Sequence, residues 1–484
     1  MKNLVLCNIG ARDVQLSEGG TLLELRPPRS QGRKVLNEYP DYAGRIVLPI
    51  LEPALRFVLQ STPQETCNVV LFGTDQKEGE YLETDTLYFA DIAAKRVAEL
   101  FPFSAESRLL ERANPAFYDE TFELFGRLLP EFALGAYNRC FVILAGGTPA
   151  CNSALLLQGV RLFGSSLQAV YIPPKKDALL LRIGRQIGTA FQEAAAIDHL
   201  NRLDFANALP GMEEIGADPG LKALVKYAAQ RFAFDFPSAR QSLQTAVRDG
   251  NRTVREFCDT LRHNLDRLPA GDDATDDLPV LIEELHWNAV ITYQHRRYAD
   301  FLGRVYRFQE ATLRCMVEEI FGLSTDLAPA VRTANQQAWE GYIAANRPLV
   351  TFLESRRVDD QPLNWRSISR PVCQAMLSYV LDEKHAAAAA PILPAVEVEH
   401  PRYQALFKRV NALDRLVDFR HRTIIGHGFK GVSEQEILAN SPDGLPPAKY
   451  LGKTVQILRK KDLSESAFHE IARFVVDQIK KEVL

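Results

Sequence analysis

Paired cysteines are the first thing this sequence lacks. Its 484 residues hold seven cysteines, Cys7, Cys67, Cys140, Cys151, Cys258, Cys315 and Cys373. The number is odd, no CxxC occurs, and the early ones fall in or beside apolar runs. That excludes a disulfide framework and points to reduced, buried thiols in a cytoplasmic protein. Long apolar runs are missing too. No segment reaches the roughly 18 apolar residues of a membrane span, so no membrane partner is expected. The start, Met1–Lys2–Asn3–Leu4–Val5–Leu6, lacks the charged and long apolar regions of a signal peptide. Charge of one sign is scarce: 57 Lys and Arg against 61 Asp and Glu leave a formal −4. This argues against a broad basic surface for nucleic acid, but not against a local basic cleft.

Two nucleotide-binding motifs are absent. No lysine follows the glycines as a Walker A would require, and no G-x-G-x-x-G follows the first strand. A nucleoside triphosphate or NAD is therefore not indicated. Nor does any His, Cys and Asp cluster stand at metal-ligand spacing. His286 and His295 have no such neighbours and read as structural. No metal and no cofactor are expected.

What is present begins with size. At roughly 100–200 residues per domain the chain should hold two to four. The divisions expected are 1–178, 179–325 and 326–484. In the first, buried strands are read at Asn3–Ile9, Asn68–Phe72, Cys140–Ala145 and Leu167–Ile172. Helical patterns separate them at Pro53–Gln60, Thr86–Phe101, Glu120–Leu134 and Cys151–Phe163. Strands alternating with helices give an α/β domain with a mainly parallel sheet.

Ligands of such sheets bind at the carboxyl ends of the strands. Those ends carry Asn8, Ile9, Gly10, Ala11, Arg12 and Asp13, then Gly73, Thr74 and Asp75, then Gly146, Gly147, Thr148 and Pro149. The glycines let a ligand approach the backbone, Thr148 offers a hydroxyl, and Pro149 suits the first turn of a helix. The helix start could seat a phosphate. The alternative is a tight strand-to-helix turn with no ligand. Arg12 is either a phosphate ligand or a surface arginine.

The remainder reads as mostly helical. Helices are expected at Leu221–Phe234, Ala239–Asp249 and Val254–Leu268, with an acidic loop at 269–277. A long helix, with room for a kink, is expected from Leu278 to about Phe321. Within it Tyr298, Phe301, Val305 and Phe308 read as the core face, and the arginines between them as the solvated face. Further helices are expected at Thr333–Leu353, Val372–Leu381, Tyr403–Val417 and about Ser464–Lys480. A low-complexity loop is expected at 385–394, and a helix start at Ser433–Glu436.

One late stretch concentrates chemistry: Phe419–Arg420–His421–Arg422–Thr423–Ile424–Ile425–Gly426–His427–Gly428. Arginine is always charged and forks onto phosphate. Histidine titrates near neutral pH and moves protons. That pairing suits phosphodiester cleavage. On an unbroken helix, Arg420 and His427 lie within about 20° of one face, while Arg422 points about 140° from His427. The face argument therefore favours Arg420, on the condition that Gly426 does not break the helix. Arg422 stays open as the alternative.

The α/β domain with Asn-Ile-Gly-x-Arg-Asp after its first strand and Gly-Gly-Thr-Pro opening a late helix resembles the CRISPR-associated Rossmann-fold (CARF) domain. The helical carboxyl-terminal part with Arg420-His421 and His427-Gly428 resembles a HEPN ribonuclease domain. Its pattern is an arginine, often followed by a polar residue, then a histidine after four to six positions. Together they resemble the CARF–HEPN ancillary ribonucleases of type III CRISPR systems. The resemblance implies a homodimer whose CARF domains bind a cyclic oligoadenylate as allosteric activator. It implies a HEPN endoribonuclease that cleaves single-stranded RNA without a metal and leaves 2′,3′-cyclic phosphates. Arg420, His427, His421 at the polar position, and Arg422 would be catalytic. The activator would sit on Asn8–Asp13, Gly73–Asp75 and Gly146–Pro149. Cleavage of the activator in the CARF pocket stays open. Two other readings are a non-catalytic nucleotide sensor recruiting a partner, and a HEPN toxin ribonuclease without nucleotide control.

Overall fold

The computed structural model describes residues 2–63, 65–112, 114–135, 137–173, 176–269, 277–358, 360–382, 399–463 and 465–482. The loop expected at 385–394 and most of that expected at 269–277 lie outside the described residues. The chain divides into two compact units, Met1–Ala194 and Ala195–Leu484.

The first unit is an α/β domain. Its strands, in chain order, are β1 (Lys2–Asn8), β2 (Gln15–Glu18), β3 (Thr21–Glu24), β4 (Ile46–Val47), β5 (Thr66–Asp75), β6 (Ser104–Glu111), β7 (Cys140–Ile143), β8 (Leu167–Tyr171) and β9 (Leu179–Leu181). Six form one sheet in the order β6-β5-β1-β7-β8-β9. All pairs in it are parallel except β8 with β9. Side chains of β1 alternate between two cores. Val5 and Cys7 face the helices Leu51–Ser61 and Leu87–Leu100. Leu4 and Leu6 face Tyr118–Leu128 and Pro149–Phe163. Helices on both faces explain why β1, β5 and β7 read as near-continuous apolar runs.

Four features of this unit depart from the sequence reading. Gly73, Thr74 and Asp75 do not form a loop after the second expected strand. They continue β5, opposite Leu109, Leu110 and Glu111 of β6. Glu120–Leu134 is two helices, Tyr118–Leu128 and Pro130–Ala133, the second opening at Pro130. A small antiparallel sheet, β3-β2-β4, was not expected at all. β6 was also missed: as an edge strand, SAESRLLE buries only Leu110 fully and carries no apolar run.

The second unit is helical. Helices at Pro219–Phe232, Phe236–Asp249 and Arg252–Asp266 share a core with the last helix, Ala467–Glu482, through Phe468, Ile471, Val475 and Ile479. A larger core joins Leu278–Gln294, Tyr298–Phe321, Arg370–Leu381, His400–Asn411, Asp414–Arg420 and Pro447–Arg459. A buried ion pair, Arg231 with Glu284 at 2.7 Å, ties helix Pro219–Phe232 to Leu278–Gln294. Its cost of desolvation is offset by the two-pronged geometry of that pair and by a third hydrogen bond from Arg231, to the Tyr227 hydroxyl.

The expected long helix Leu278–Phe321 is two helices, broken where Arg296 takes a left-handed φ of 59°. Thr333–Leu353 is likewise two, Arg332–Ala345 and Arg347–Glu354, the second opening on Pro348. Phe301, Val305 and Phe308 are buried as expected, but Arg304 between them is half-buried rather than solvated. Ser433 and Glu436 form a reciprocal capping box at the start of Glu434–Asn440, an arrangement worth about 1 kcal/mol.

Candidate functional site

The carboxyl ends of β1 and β7 converge on a cavity of about 370 Å³ in the first unit. Asn8, Ile9, Gly10, Ala11, Arg12, Asp13, Thr74, Gly146, Gly147 and Thr148 all line it. Gly73, Asp75 and Pro149 do not. Gly73 serves packing: a Cβ there would stand 2.9 Å from the Ala90 Cβ and 3.0 Å from the Thr86 carbonyl. Asp75 is held by Arg29 at 3.0 Å and Lys77 at 2.5 Å.

The glycines serve close approach of backbones. Gly146 and Gly147 have φ of 88° and 65°. A Cβ on Gly146 would meet the Asp13 Oδ2 at 2.3 Å, and one on Gly10 the Gly147 nitrogen at 2.6 Å. Only glycine fits either position without moving the floor of the cavity.

Four side chains fix that floor. The Asn8 Nδ2 donates to Asn152 Oδ1 at 2.9 Å, and the Asn152 Nδ2 donates to the Gly146 carbonyl at 2.7 Å. The Gly10 N–H donates to Asp13 Oδ2 at 2.5 Å. The Thr86 hydroxyl donates to the Ile9 carbonyl at 2.8 Å. Two buried acceptors, Asn8 Oδ1 and Asp13 Oδ1, have no partner among the described residues. Burial pushes the Asp13 carboxyl up to about 7, against the pull of the Gly10 N–H and of Arg12. Arg12 and Arg26 line the cavity from exposed positions.

Thr148 does a different job from the one expected. Its hydroxyl donates to the Pro115 carbonyl and accepts the Cys151 N–H at 3.2 Å, capping helix Pro149–Phe163. Pro149 has no N–H, and that of Asn152 goes to the Thr148 carbonyl. This helix start therefore offers a ligand fewer donors than the sequence implied.

Arg26, Ile50, Thr84, Thr86, Leu110, Pro115 and Cys151 also line the cavity and were not anticipated. They arrive from the segments that follow β3 and β4, the segment before helix Leu87–Leu100, β6 and the loop after it, and the first turn of helix Pro149–Phe163. No local pattern marks them; only the strand-end rule, applied to β6, would have found Leu110.

The second concentration of chemistry lies in the helical unit. Helix Asp414–Arg420 ends at Arg420, and His421–Gly428 turns back on it. The His427 N–H donates to the His421 carbonyl at 3.1 Å, and the Lys430 N–H to the Arg422 carbonyl at 2.9 Å. Thr423, fully buried, pins the turn by donating to the Arg420 carbonyl at 2.8 Å. A Cβ on Gly426 would fall 2.5 Å from the Arg420 carbonyl oxygen, and one on Gly428 2.3 Å from that of Arg422. Both glycines are required where two backbones touch.

The helix break removes the geometric case for Arg420 over Arg422. Arg420 is half-buried, its guanidinium 4.3 Å from the centre of the Tyr306 ring and its Nη2 3.4 Å from the Ile425 carbonyl. It clasps the turn. Arg422 and His427 are exposed, as is His421, whose ring stacks 6.0 Å from that of His427. Ile424 and Phe429, on either side of His427, are 73% and 96% exposed. Among the described residues no group of three His, Cys, Asp or Glu is arranged to hold a metal.

No helix among the described residues is long and apolar enough to cross a membrane. Neither a family model nor a curated protein matches the chain. Among solved structures, it is similar to Enterococcus italicus Csm6 bound to cyclic hexa-2′-fluoro-hexa-dAMP. The alignment is 13% identical, covers 99% of this chain and 100% of that one, and has a TM-score of 0.46. A likeness at that identity and superposition assigns no function to this chain.

Proposed function

We propose that this chain is an endoribonuclease of the CARF–HEPN kind, activated by a cyclic oligoadenylate and cleaving single-stranded RNA as a homodimer. The observation that carries the reading is the glycine-tightened turn 421–428, which leaves Arg422 and His427 both exposed on one short reversal while Arg420 clasps it from below. Arg422 is the arginine of the reacting pair, and Arg420 is a positioning residue. His421 stacks on His427 and orients its ring.

The reaction uses the RNA's own 2′-hydroxyl. Its oxygen forms a bond to the adjacent phosphorus as its proton leaves, and the bond from phosphorus to the 5′-oxygen breaks as that oxygen takes up a proton. The products are a 2′,3′-cyclic phosphate and a 5′-hydroxyl. His427 moves a proton, and Arg422 stabilises the charge that develops on the phosphoryl oxygens. Because the nucleophile belongs to the substrate, no metal-bound water is required. The exposed Ile424 and Phe429 beside His427 support a second copy completing the site.

The cavity of the first unit suits the activator. Asn8 Oδ1 and Asp13 Oδ1 can accept hydrogen bonds from ribose hydroxyls or adenine amino groups, and Arg12 and Arg26 can meet phosphates.

The test is RNA cleavage with cyclic tri-, tetra- and hexa-adenylate, beside the His427→Ala, Arg422→Ala and Arg420→Lys variants. One ring size should accelerate cleavage strongly. His427→Ala and Arg422→Ala should each lose about 100-fold or more, in the range of other single catalytic-group losses. Both should bind the activator as before. Arg420→Lys should lose rate and lower the unfolding temperature together. No stimulation by any ring would sink the reading. A fully active Arg422→Ala variant would return the role to Arg420.

A further inference from the structure

The helical unit holds a second cavity, of about 430 Å³, that the nuclease reading does not use. Its walls are apolar: Phe232, Phe234, Phe236, Leu281 and Ala311. Rings of Phe234 and Phe236 stand 5.3 Å apart. Into this surface helix Tyr298–Phe321 sets three arginines on one face, Arg304, Arg307 and Arg314.

Their charges are not equally answered. Arg314 is buried but donates to the Thr325 hydroxyl and carbonyl at 2.8 and 2.7 Å, and Thr325 donates to Glu318 at 2.6 Å. Arg307, at the exposed rim, pairs with Glu310 at 2.7 Å. Arg304 makes no ion pair among the described residues. Its Nε donates to the Asn288 Oδ1, its Nη1 donates to the Asp300 carbonyl at 3.1 Å, and its guanidinium lies 5.9 Å from the centre of the Phe232 ring. The Asp300 carboxylate is itself paired with Arg297. Burial holds the Arg304 guanidinium below its ordinary pKa, against the opposing pull of Asp300. A half-buried cation in an apolar cavity, with no counter-ion among the described residues, is a costly arrangement that an anion would relieve.

We propose that this cavity binds a small amphipathic carboxylate, its apolar body among the phenylalanines and its anionic head on Arg304, with Arg307 at the rim. Asn288 argues against a nucleobase read by its edge. Its Oδ1 is taken by Arg304 and its Nδ2 by the Phe232 carbonyl. The body is thus recognised by shape and apolarity alone. The site also adjoins the turn 421–428. Gly303 lines the cavity, and a Cβ on it would lie 3.1 Å from the Ile425 side chain.

The experiment is calorimetric titration of the full chain at pH 7 with 2-naphthoate, and separately with 2-naphthol, which has the same rings but no charge. Naphthoate should bind one per chain and about tenfold tighter than naphthol, as one charge-assisted hydrogen bond allows. Arg304→Gln should bring the two affinities to within about threefold, leaving naphthol binding in place. Leu281→Trp, which fills the cavity and spares the arginine, should weaken both by about tenfold or more. Equal binding of the two probes, an unchanged preference in Arg304→Gln, or no binding of either would overturn the proposal. RNA plays no part in the titration, so its failure leaves the nuclease reading standing.

Discussion

Asp13 keeps one carboxylate oxygen on the Gly10 N–H and the other, without a donor among the described residues, in the wall of the cavity. Burial raises its pKa from 3.8 to about 7. Between those values the folded chain holds a proton that the unfolded chain has lost. Stability is therefore full below pH 3.8 and declines as the pH rises through about 7. Asp13→Asn cannot ionise and should remove that decline. Unfolding of the variant and the unsubstituted chain, followed from pH 4 to 8, should coincide at the acid end. At pH 8 the variant should be more stable by on the order of a few kcal/mol. Parallel curves would mean that the folded carboxyl titrates at its ordinary value. Thr148 carries the opposite lesson about single residues. In the sequence it looks like a ligand hydroxyl, but a helix start needs a cap, and both its donor and an acceptor lone pair are used inside the protein.

At the scale of elements, legibility followed burial. β1, β5, β7 and β8 were readable because sheets covered on both faces demand unbroken apolar runs. β6 pairs on one side only, carries polar residues, and left no such run. The strand-end rule found the cavity's floor but not Arg26, Thr86 or Pro115, which tertiary folding delivers from segments remote in sequence. The turn after Arg420 is only partly legible for a related reason: Gly426 leaves room for a break without showing that one occurs. Ile424, Ile425 and the spacing of Arg420 to His427 fit a helix, and only the contacts of Gly426 and Gly428 with backbone carbonyls disclose the reversal. Those contacts give a prediction. Gly428→Ala drives a Cβ to 2.3 Å from the Arg422 carbonyl oxygen, and a backbone cannot swing aside as a side chain can. The turn must open, at a cost of about 1–3 kcal/mol. RNA cleavage at saturating activator should fall at least about tenfold while activator affinity in the first unit stays the same. A fully active variant would show that the turn's shape is not what presents Arg422 and His427.

At the scale of the whole molecule, the proposed function has the two units divide the work. The sheet's acceptors and arginines suit a nucleotide effector, and the helical unit supplies an arginine and a histidine that suit phosphodiester chemistry. One arginine and one histidine per chain are few for a nuclease site, and a second copy would double them. The surface beside His427 is apolar and exposed. Phe429 is 96% exposed and Ile424 73% exposed, whereas apolar residues of the same size elsewhere in this unit are mostly buried. Covering a phenylalanine side chain contributes about 1.5–3 kcal/mol, and a two-fold axis would count it twice. A glutamate in its place would set like charges against each other across that axis. Phe429→Glu should therefore lower activated cleavage by about tenfold or more, while Phe429→Leu, still apolar, should stay within about threefold of the unsubstituted chain. So exposed a side chain contributes little to the fold of the single chain, so far-UV circular dichroism of both variants should match that of the unsubstituted chain. Full activity in Phe429→Glu would remove this face as the contact between copies, and equal losses in both variants would assign Phe429 to contact with RNA instead.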